Sequence, residues 1–448
     1  MVDNVSQRLR IIDHKRILIF APSAYPLGGI ANWLDYLSPG LEEEGWQVIH
    51  GLVTGQHHDS DAYLQRHPWP QALRITNKTG SREGRIIAIC EVLKKVRPDI
   101  VLVVNQVTAY EAIRRMRCKN EHVPKVVMAL HALQSNLLKD IARQRDILDA
   151  VIATNQLACR LAQNTLGSPS RVFYAPYGVI PWLGKRSRND IPSDVIRLLY
   201  AGRIEEKQKR IIDLIQVMGT LKRQNVGATL TIAGGGTAAK HLQSKFEELG
   251  LSNDVNFCGI LSFDQLALAY KTHDALIITS EWETGPIVAW EAMSYGLPVV
   301  SSRYIGSGAE SALVDGENCF LFDIGDIEGA VRAIARVRNQ VLRECITDGG
   351  IRTVRKRYSR DKSIQQWVNA IRMVRELPPL QPPRYRSTSI TSGRLDRWLG
   401  QKWGERVRRT IRIQHAHSDA GGEWPHSEHD ASDQATFLKQ VSELDIAQ

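Results

Sequence analysis

Two glutamates, Glu283 and Glu291, are separated by seven residues in a stretch that could bind a phosphorylated sugar. The apolar run 275–278 before the first glutamate predicts a buried strand, and the second lies in a helical pattern that ends at Gly296 with Pro298 beyond. Open α/β sheets bind ligands where a strand ends and the next helix begins. The N–H groups and dipole at such a helix start favour an anion such as a diphosphate. Carboxylates flanking that point would accept hydrogen bonds from the hydroxyls of a ribose or a hexose.

Four segments together resemble elements of one enzyme family, the retaining nucleotide-sugar glycosyltransferases of the GT-B fold called glycosyl transferases group 1. Their order and spacing fit that family, and the resemblance is strongest over residues 195–335. The segments are the E-x7-E stretch 280–300, the G-R-x…K element of 199–203 with Lys209, the strand and glycine turn 230–236, and the segment 175–179, which is similar to the family's P-N-G-V.

This resemblance implies an α/β protein of the GT-B fold. Two Rossmann-like domains with parallel sheets would face each other across a cleft, and the last helix would cross back to the first domain. The implied activity is a retaining hexosyl transfer in polysaccharide biosynthesis, from a nucleotide-diphosphate sugar to a saccharide or to a lipid-linked or lipopolysaccharide-type acceptor. No cofactor or metal is implied. Two alternatives stay open: a non-catalytic nucleotide-sugar-binding subunit of a glycosyltransferase complex, and another enzyme on the same fold, such as a nucleotide-sugar epimerase.

Arg203 and Lys209 are the candidate phosphate clamp. Negative charge develops on a leaving nucleoside diphosphate as the glycosidic bond breaks, and fixed cations stabilise that transition state more than the ground state. Lys207 is also present, but Lys209 is preferred because the residues after it then align with the family's next helix. Arg210 stands where the family often has glycine. Without the resemblance, the segment would be explained as a solvated run of charges after a strand.

The other site residues are assigned by the same resemblance. Glu291 would hold the donor ribose and Glu283 the donor sugar, although either could serve only to favour a helix start. His131, after an apolar strand, would hydrogen-bond the sugar or shield charge at the reacting carbon, or would be only a satisfied polar residue. The predicted catalytic residues are Arg203, Lys209, Glu283 and His131. The predicted donor-binding residues are Gly28, Gly29, Gly234, Thr284, Gly285, Pro286, Ile287 and Glu291. The Gly28–Gly29 pair could equally form only the turn before the first helix.

Apolar runs of strand length alternate with helical patterns over most of the chain, which predicts parallel sheets covered by helices on both faces. The polar stretch 184–193 separates two such series. The predicted organisation is an N-terminal acceptor-side Rossmann-like domain (1–183), a C-terminal nucleotide-sugar-binding Rossmann-like domain (194–357), a crossover helix (358–377), and a basic amphipathic segment with a tail (378–448). We expect the tail to be disordered up to a short helix near 436–445.

Composition and charge exclude several classes of protein. The 448 residues contain no apolar run that would span a bilayer, and the N-terminus has no apolar signal-peptide core, so a cytoplasmic protein is expected, either free or peripheral on the inner face of the membrane. The net charge of +10 allows anionic lipid or phosphorylated substrates. No aromatic-basic recognition motif supports nucleic acid as a partner. The six cysteines form no C-x-x-C pair and are expected to be reduced, and no cluster has metal-ligand spacing.

The segment 384–412 is strongly basic and amphipathic. Its apolar residues recur every four positions, at Leu395, Leu399, Trp403, Val407 and Ile411, with Trp398 beside them. On a helix this pattern gives one apolar, tryptophan-bearing stripe in a basic remainder, which is typical of a helix that lies in an anionic membrane interface. The alternative is a helix that docks its apolar stripe on the first domain or on a second subunit.

Overall fold

The computed structural model of the chain describes residues 15–21, 29–53, 59–119, 121, 124–184, 195–383, 393–413 and 432–446. Its strands form two sheets, and the described pairings between neighbouring strands in both are parallel. The predicted α/β fold class is therefore confirmed.

Seven strands build the first sheet: β1 (Lys15–Ala21), β2 (Trp46–Val53), β3 (Ala72–Ile75), β4 (Ile100–Val103), β5 (Lys125–Leu130), β6 (Ala150–Ala153) and β7 (Val172–Tyr174). Their order in the sheet is β3-β2-β1-β4-β5-β6-β7. The interior strand β1 has the run of apolar residues that burial on both faces of a parallel sheet requires. From β1 the chain adds β2 and β3 on one side, and it then places β4 on the other side of β1.

Helices follow these strands: α1 (Gly29–Glu43), α2 (Ser60–Arg66), α3 (Arg82–Val96), α4 (Val107–Arg117), α5 (Ser135–Gln144) and α6 (Gln156–Leu166). Local signals set the ends of α6. The side chain of Asn155 caps its start by accepting the N–H of Leu157 at 2.9 Å. Gly167, with φ of 69°, ends it in the left-handed conformation.

Six strands build the second sheet: β8 (Ile196–Ala201), β9 (Ala228–Ala233), β10 (Val255–Gly259), β11 (Ala275–Ile278), β12 (Val299–Ser302) and β13 (Phe320–Phe322). Their order is β10-β9-β8-β11-β12-β13. Its helices are α7 (Asp213–Arg223), α8 (Ala239–Glu248), α9 (Phe263–Thr272), α10 (Ile287–Ser294), α11 (Ser307–Glu310), α12 (Ile327–Arg336) and α13 (Gln340–Thr353).

Alternating side chains of β8 and β11 enter two separate hydrophobic clusters, one on each face of the second sheet. Leu198 and Ile277 pack into one cluster, and Leu199 and Leu276 into the other. The second cluster also contains Trp290 of α10, whose ring stacks on Tyr358 with centroids 4.1 Å apart and planes 3° apart. Both clusters consist of aliphatic and aromatic side chains, and their close packing holds the strands of this sheet in place.

Helices make up most of the described part of the rest of the chain. A π-helical turn (Val354–Tyr358) leads into α14 (Arg360–Glu376), which matches the crossover helix predicted over 358–377, and α15 (Arg394–Ile411) and α16 (Gln434–Ser442) follow. None of the helices in the described part of the chain is long and apolar enough to cross a membrane.

The chain divides into two compact units. The first unit consists of Met1–Met128, Gln144–Ala150 and Arg372–Ser427, and the second of Ala129–Arg143, Val151–Ile371 and Glu428–Gln448. Helix α14 thus begins in the second unit and ends in the first, where Lys125 Nζ donates to the Leu377 carbonyl at 2.6 Å. The linker predicted over 184–193 falls almost wholly on residues 185–194, outside the described residues.

Candidate functional site

The candidate site lies in the second unit, at the carboxyl ends of two neighbouring strands. From β8 the chain adds β9 and β10 on one side, and then places β11 on the other side of β8. This reversal opens a crevice outside the ends of β8 and β11, the usual ligand position in open α/β sheets. Arg203 comes two residues after β8, and Glu283 five residues after β11. The fold therefore brings these two predicted residues to one edge of the sheet.

Lys209 and Glu283 form a short ion pair, with Nζ and Oε1 2.5 Å apart. The same carboxylate oxygen accepts a hydrogen bond from Ser280 Oγ at 2.6 Å, and the Lys209 carbonyl accepts one from Thr279 Oγ1 at 2.7 Å. The two side chains are only 16% and 8% exposed. A charge at that depth needs a partner. The pair therefore ties the loop after β8 to the loop after β11.

Gln208, which sequence reasoning missed, links Arg203 to the same loop. One Arg203 Nη donates to Gln208 Oε1 at 2.7 Å and the other contacts Glu205 at 3.3 Å, while Gln208 Nε2 donates to the Trp282 carbonyl at 3.1 Å. Tyr200 Oη donates to the Arg203 carbonyl at 2.5 Å, and burial, with the nearby charge of Glu283, raises the pKa of this phenol. Arg203 keeps a side chain that is 37% exposed.

Arg210 has a left-handed backbone, with φ of 47°. This conformation is easiest for glycine, the residue common in the family at this place. Here the side chain of Arg210 is fixed by Asp213, three residues later in the chain, since Arg210 Nε donates to Asp213 Oδ2 at 2.8 Å. The turn directs Lys209 towards Glu283, whereas Lys207 is exposed.

Glu291, in the middle of α10, accepts a hydrogen bond from Tyr270 Oη at 2.7 Å. Burial raises the pKa of the Glu291 carboxyl to about 7, and the hydrogen bond from Tyr270 opposes that rise. Near neutral pH this carboxyl can therefore accept from a hydroxyl as a carboxylate or donate to one as an acid. Tyr270 had no signal in the sequence that pointed to the site.

The residues between the two glutamates form the start of α10. Gly285 has φ of 118°, which a residue with a side chain rarely adopts, and Pro286 occupies the N-cap position. The helix begins at Ile287, and its first turn points N–H groups away from the helix, in the geometry that binds anions. The predicted donor-binding residues here thus share one turn.

His131 lies at the end of β5 and contacts the same turn. Thr284 Oγ1 donates to the His131 carbonyl at 2.6 Å. The imidazole Nδ1 is 2.6 Å from Tyr177 Oη, and the ring stacks on Tyr177 and Trp367 with centroids 5.4 and 6.2 Å away. Burial lowers the pKa of His131 to about 3, so the ring is neutral at physiological pH. A neutral ring can hydrogen-bond a sugar but brings no charge.

The predicted glycines have different surroundings. A Cβ on Gly234 would lie 1.8 Å from the Gly202 carbonyl oxygen, so the ends of β9 and β8 can meet only without a side chain there. Gly234 N also donates to the Gly259 carbonyl at 2.7 Å. Gly29 is the first residue of α1, in the first unit. Gly28 lies outside the described residues.

Sequence reasoning also missed Glu310, the last residue of α11. Its buried carboxylate accepts hydrogen bonds from Tyr174 Oη and Tyr358 Oη, each at 2.5 Å, from Arg357 at 3.0 Å and from the Gln156 N–H at 2.9 Å. In the sequence, Glu310 is only a glutamate that follows an apolar strand, and this pattern does not predict which residues its carboxylate contacts.

The tail contacts the loop next to Glu283. Asp445 accepts the N–H groups of three residues around the start of α11: Gly306 at 2.7 Å, Gly308 at 3.2 Å and Ala309 at 2.7 Å. The preceding residue, Ile305, accepts the N–H of Glu283 at 3.1 Å. Helix α16 agrees with the short helix predicted near 436–445, whereas residues 414–431, including the tail histidines, lie outside the described residues.

Comparison with known proteins supports the resemblance. Residues 184–346 match the family model described as Glycosyl transferases group 1. Over 157 residues the chain is 32% identical to the glycogen synthase of Mycobacterium tuberculosis, a match that covers 34% of this chain and 36% of that protein. It is 27% identical over 248 residues to the lipopolysaccharide 1,6-galactosyltransferase of Salmonella typhimurium, covering 55% of this chain and 67% of that one.

The fold also matches solved structures. The crystal structure of Alr3699/HepE of Anabaena in complex with UDP-glucose has a TM-score of 0.64 at 19% identity, covering 80% of this chain and all of that one (100%). At that identity the likeness shows the GT-B fold alone. The matches to the first curated relatives span between 36% and 56% of those proteins' length.

Proposed function

We propose that this protein, whose residues 184–346 match the glycosyl transferases group 1 family model, is a retaining glycosyltransferase. It would move a sugar from a nucleotide-diphosphate sugar to a saccharide or to a lipid-linked, lipopolysaccharide-type acceptor. The observation that carries the proposal is the meeting of Arg203, Lys209 and Glu283 at the crevice between β8 and β11.

Charge at this point suits a departing diphosphate. Arg203 is half-exposed, Lys209 lies on the same loop, and the start of α10 adds N–H groups. Donors that are held in place before the reaction stabilise developing charge without reorganising. The contacts of Gln208 fix Arg203 in this way. Because these groups would take over the role of a metal, we propose that transfer needs no divalent ion.

The two glutamates fit the hydroxyls of a nucleotide sugar. Glu283 would accept from the sugar and Glu291 from the ribose, with Tyr270 holding the second carboxyl. The UDP-glucose bound in Alr3699/HepE supports a nucleotide sugar as the class of donor. His131, neutral and joined to Thr284, would contact the sugar as a hydrogen-bonding group.

Retention of configuration is proposed from the family resemblance, and the state of Glu283 bears on how it would occur. Its Oε1 already accepts two short hydrogen bonds, from Lys209 and Ser280, which makes it a poor covalent nucleophile. Departure and attack on one face of the sugar would need no such nucleophile. The acceptor classes are suggested by the galactosyltransferase relative, which acts on lipopolysaccharide. We propose a cytoplasmic location, either free or peripheral on the inner face of the membrane.

A panel of UDP-, GDP- and ADP-sugars, screened for hydrolysis and then for transfer, tests the proposal. NMR of the product gives its anomeric configuration, and we expect the configuration of the donor to be kept. An inverted product would refute retention. Tight binding of one nucleotide sugar, with neither hydrolysis nor transfer to saccharide or lipid-linked acceptors, would instead indicate the non-catalytic subunit.

A further inference from the structure

Helix α15 is fastened to the first unit by its polar side. Thr79 Oγ1 donates to the Glu405 carboxylate at 2.8 Å, and Ser81 Oγ donates to it at 2.5 Å. Within the helix, Arg408 and Asp396 form an ion pair at 2.5 Å, with side chains only 2% and 1% exposed. Helix α15 therefore docks on the first unit, as one sequence alternative has it, but buried polar groups supply the contacts, and only Leu395 and Val407 of the apolar stripe are half-buried.

Most of the large apolar residues of the segment 393–413 remain on the surface. Trp398 is 86% exposed and Trp403 is 62% exposed. Three aliphatic residues are also exposed, namely Leu399, Ile411 and Ile413. Six basic residues are exposed with them: Arg394, Arg397, Lys402, Arg406, Arg409 and Arg412. We name these eleven side chains the α15 surface.

The charge of the α15 surface has one sign. The segment 393–413 contains two acidic residues, Asp396 and Glu405, and both are buried in the contacts that hold the helix. Glu405 also accepts from Arg409 Nε at 2.9 Å, so this cation of the α15 surface has a partner inside the segment 393–413. The guanidinium of Arg406 lies 4.6 Å from the centre of the Trp403 ring, so a cation and an aromatic ring are in contact on this surface. Tryptophan rings beside arginines and lysines suit the boundary between lipid headgroups and acyl chains.

We propose that the α15 surface docks the protein on an anionic lipid bilayer. The tryptophans would enter the headgroup boundary, and the surrounding cations would bind lipid phosphates and carboxylates. Glu405 and the Arg408–Asp396 pair fix the helix before lipid arrives, so docking does not require it to fold on the membrane. The kink at Gly400, with φ of 75°, separates the turn of Trp398 from the turn of Trp403. This inference goes beyond the proposed transfer and does not depend on it.

Co-sedimentation of the full chain with vesicles tests the proposal. Phosphatidylcholine vesicles containing phosphatidylglycerol are expected to bind it, and pure phosphatidylcholine vesicles to bind it far more weakly. Replacing Arg397 and Arg406 together by glutamine should weaken binding on the order of 30-fold, at about 1 kcal/mol for each cation and 1.4 kcal/mol for each tenfold. Replacing Trp398 and Trp403 by alanine should weaken it by about tenfold for each residue.

Matched variants control for general effects. Phe263→Ala removes an aromatic side chain that is 62% exposed, like Trp403, but belongs to α9. Arg355→Gln with Lys356→Gln removes two exposed cations from the second unit. Both controls should bind vesicles as the parent does. Because the replaced side chains are exposed, melting temperatures should stay unchanged, which separates lost docking from lost folding.

Absence of binding to the anionic vesicles would overturn the proposal, as would equal binding by the α15 variants and their controls. Self-association that depends on Trp398 and Trp403, without lipid binding, would assign the α15 surface to a protein interface instead. Because sedimentation reads binding alone, a protein that docks but transfers no sugar would refute the proposed function and leave this inference standing.

Discussion

Replacing Lys209 by methionine tests whether its charge serves the fold, the chemistry, or both. The variant leaves the Glu283 carboxylate, 8% exposed, without its cationic partner. Breaking a buried pair in this way costs about 3–5 kcal/mol, and because Lys209 itself is 16% exposed we expect the lower end, about 3 kcal/mol. At about 2–4 °C for each kcal/mol in a unit of this size, the melting temperature should fall by roughly 6–12 °C.

Adding Glu283→Gln to this variant removes the stranded charge, while the amide oxygen can still accept from Ser280. We expect the double variant to regain most of the lost stability, since the cost lies in the uncompensated carboxylate. Activity should not return. Without the fixed cation beside the leaving diphosphate, kcat/KM should stay about 10²- to 10³-fold below the parent. Lys207→Met, two residues away and exposed, is the control and should change neither quantity.

Calorimetry without donor gives the melting temperatures, and transfer rates from the preferred nucleotide sugar, measured well below the lowest melting temperature, give kcat/KM. The reasoning fails if Lys209→Met transfers sugar within a few-fold of the parent. It also fails if the double variant recovers activity together with stability, because Lys209 would then act only by neutralising Glu283.

Three further outcomes are expected. Because burial raises the pKa of Glu291 from 4.5 to about 7, the KM for the donor should fall as the pH rises from about 6 to 8. The stability that the protonated form contributes is present below pH 4.5 and should be lost as the pH rises from 4.5 to about 7; Glu291→Gln should flatten both profiles, and Tyr270→Phe should move the midpoint upward. Gly234→Ala, whose Cβ would meet the Gly202 carbonyl at 1.8 Å, should lower the melting temperature strongly, whereas Gly219→Ala, with 3.6 Å to its nearest neighbour, should not. A chelator should leave transfer intact, and full loss restored by one divalent ion would contradict the proposed clamp.

The fold and the position of the site could be predicted because they depend on local patterns. The apolar run of β11, the glycine at its following turn and the helix stop at Gly296 all belong to neighbouring residues. Because strands alternate with helices along the chain, the sheet is parallel, and the carboxyl ends of its strands lie at one edge. The choice of Glu283 and Arg203 at that edge came from the family resemblance, which four separate segments carry together.

The contacts that define the site could not be predicted, since they join distant segments. Nothing near Lys209 in sequence shows that its charge is directed at Glu283, 74 residues away. The aromatic packing that keeps His131 neutral brings in Tyr177 and Trp367. A period of four likewise showed that α15 is amphipathic, but the face that docks was decided by Thr79, 326 residues from Glu405.

The parallel stack of Trp290 on Tyr358 should contribute to the near-ultraviolet circular dichroism of the protein. Two aromatic rings held face to face in a rigid, asymmetric setting produce a near-ultraviolet circular dichroism signal that is lost when packing loosens. Trp290 is 1% exposed, so collisional quenchers in solution should not reach it. It also directly precedes Glu291, so a shift of α10 against Tyr358 when that carboxyl binds a ligand would change the signal. Ligand titrations can therefore be followed spectroscopically on the unlabelled chain.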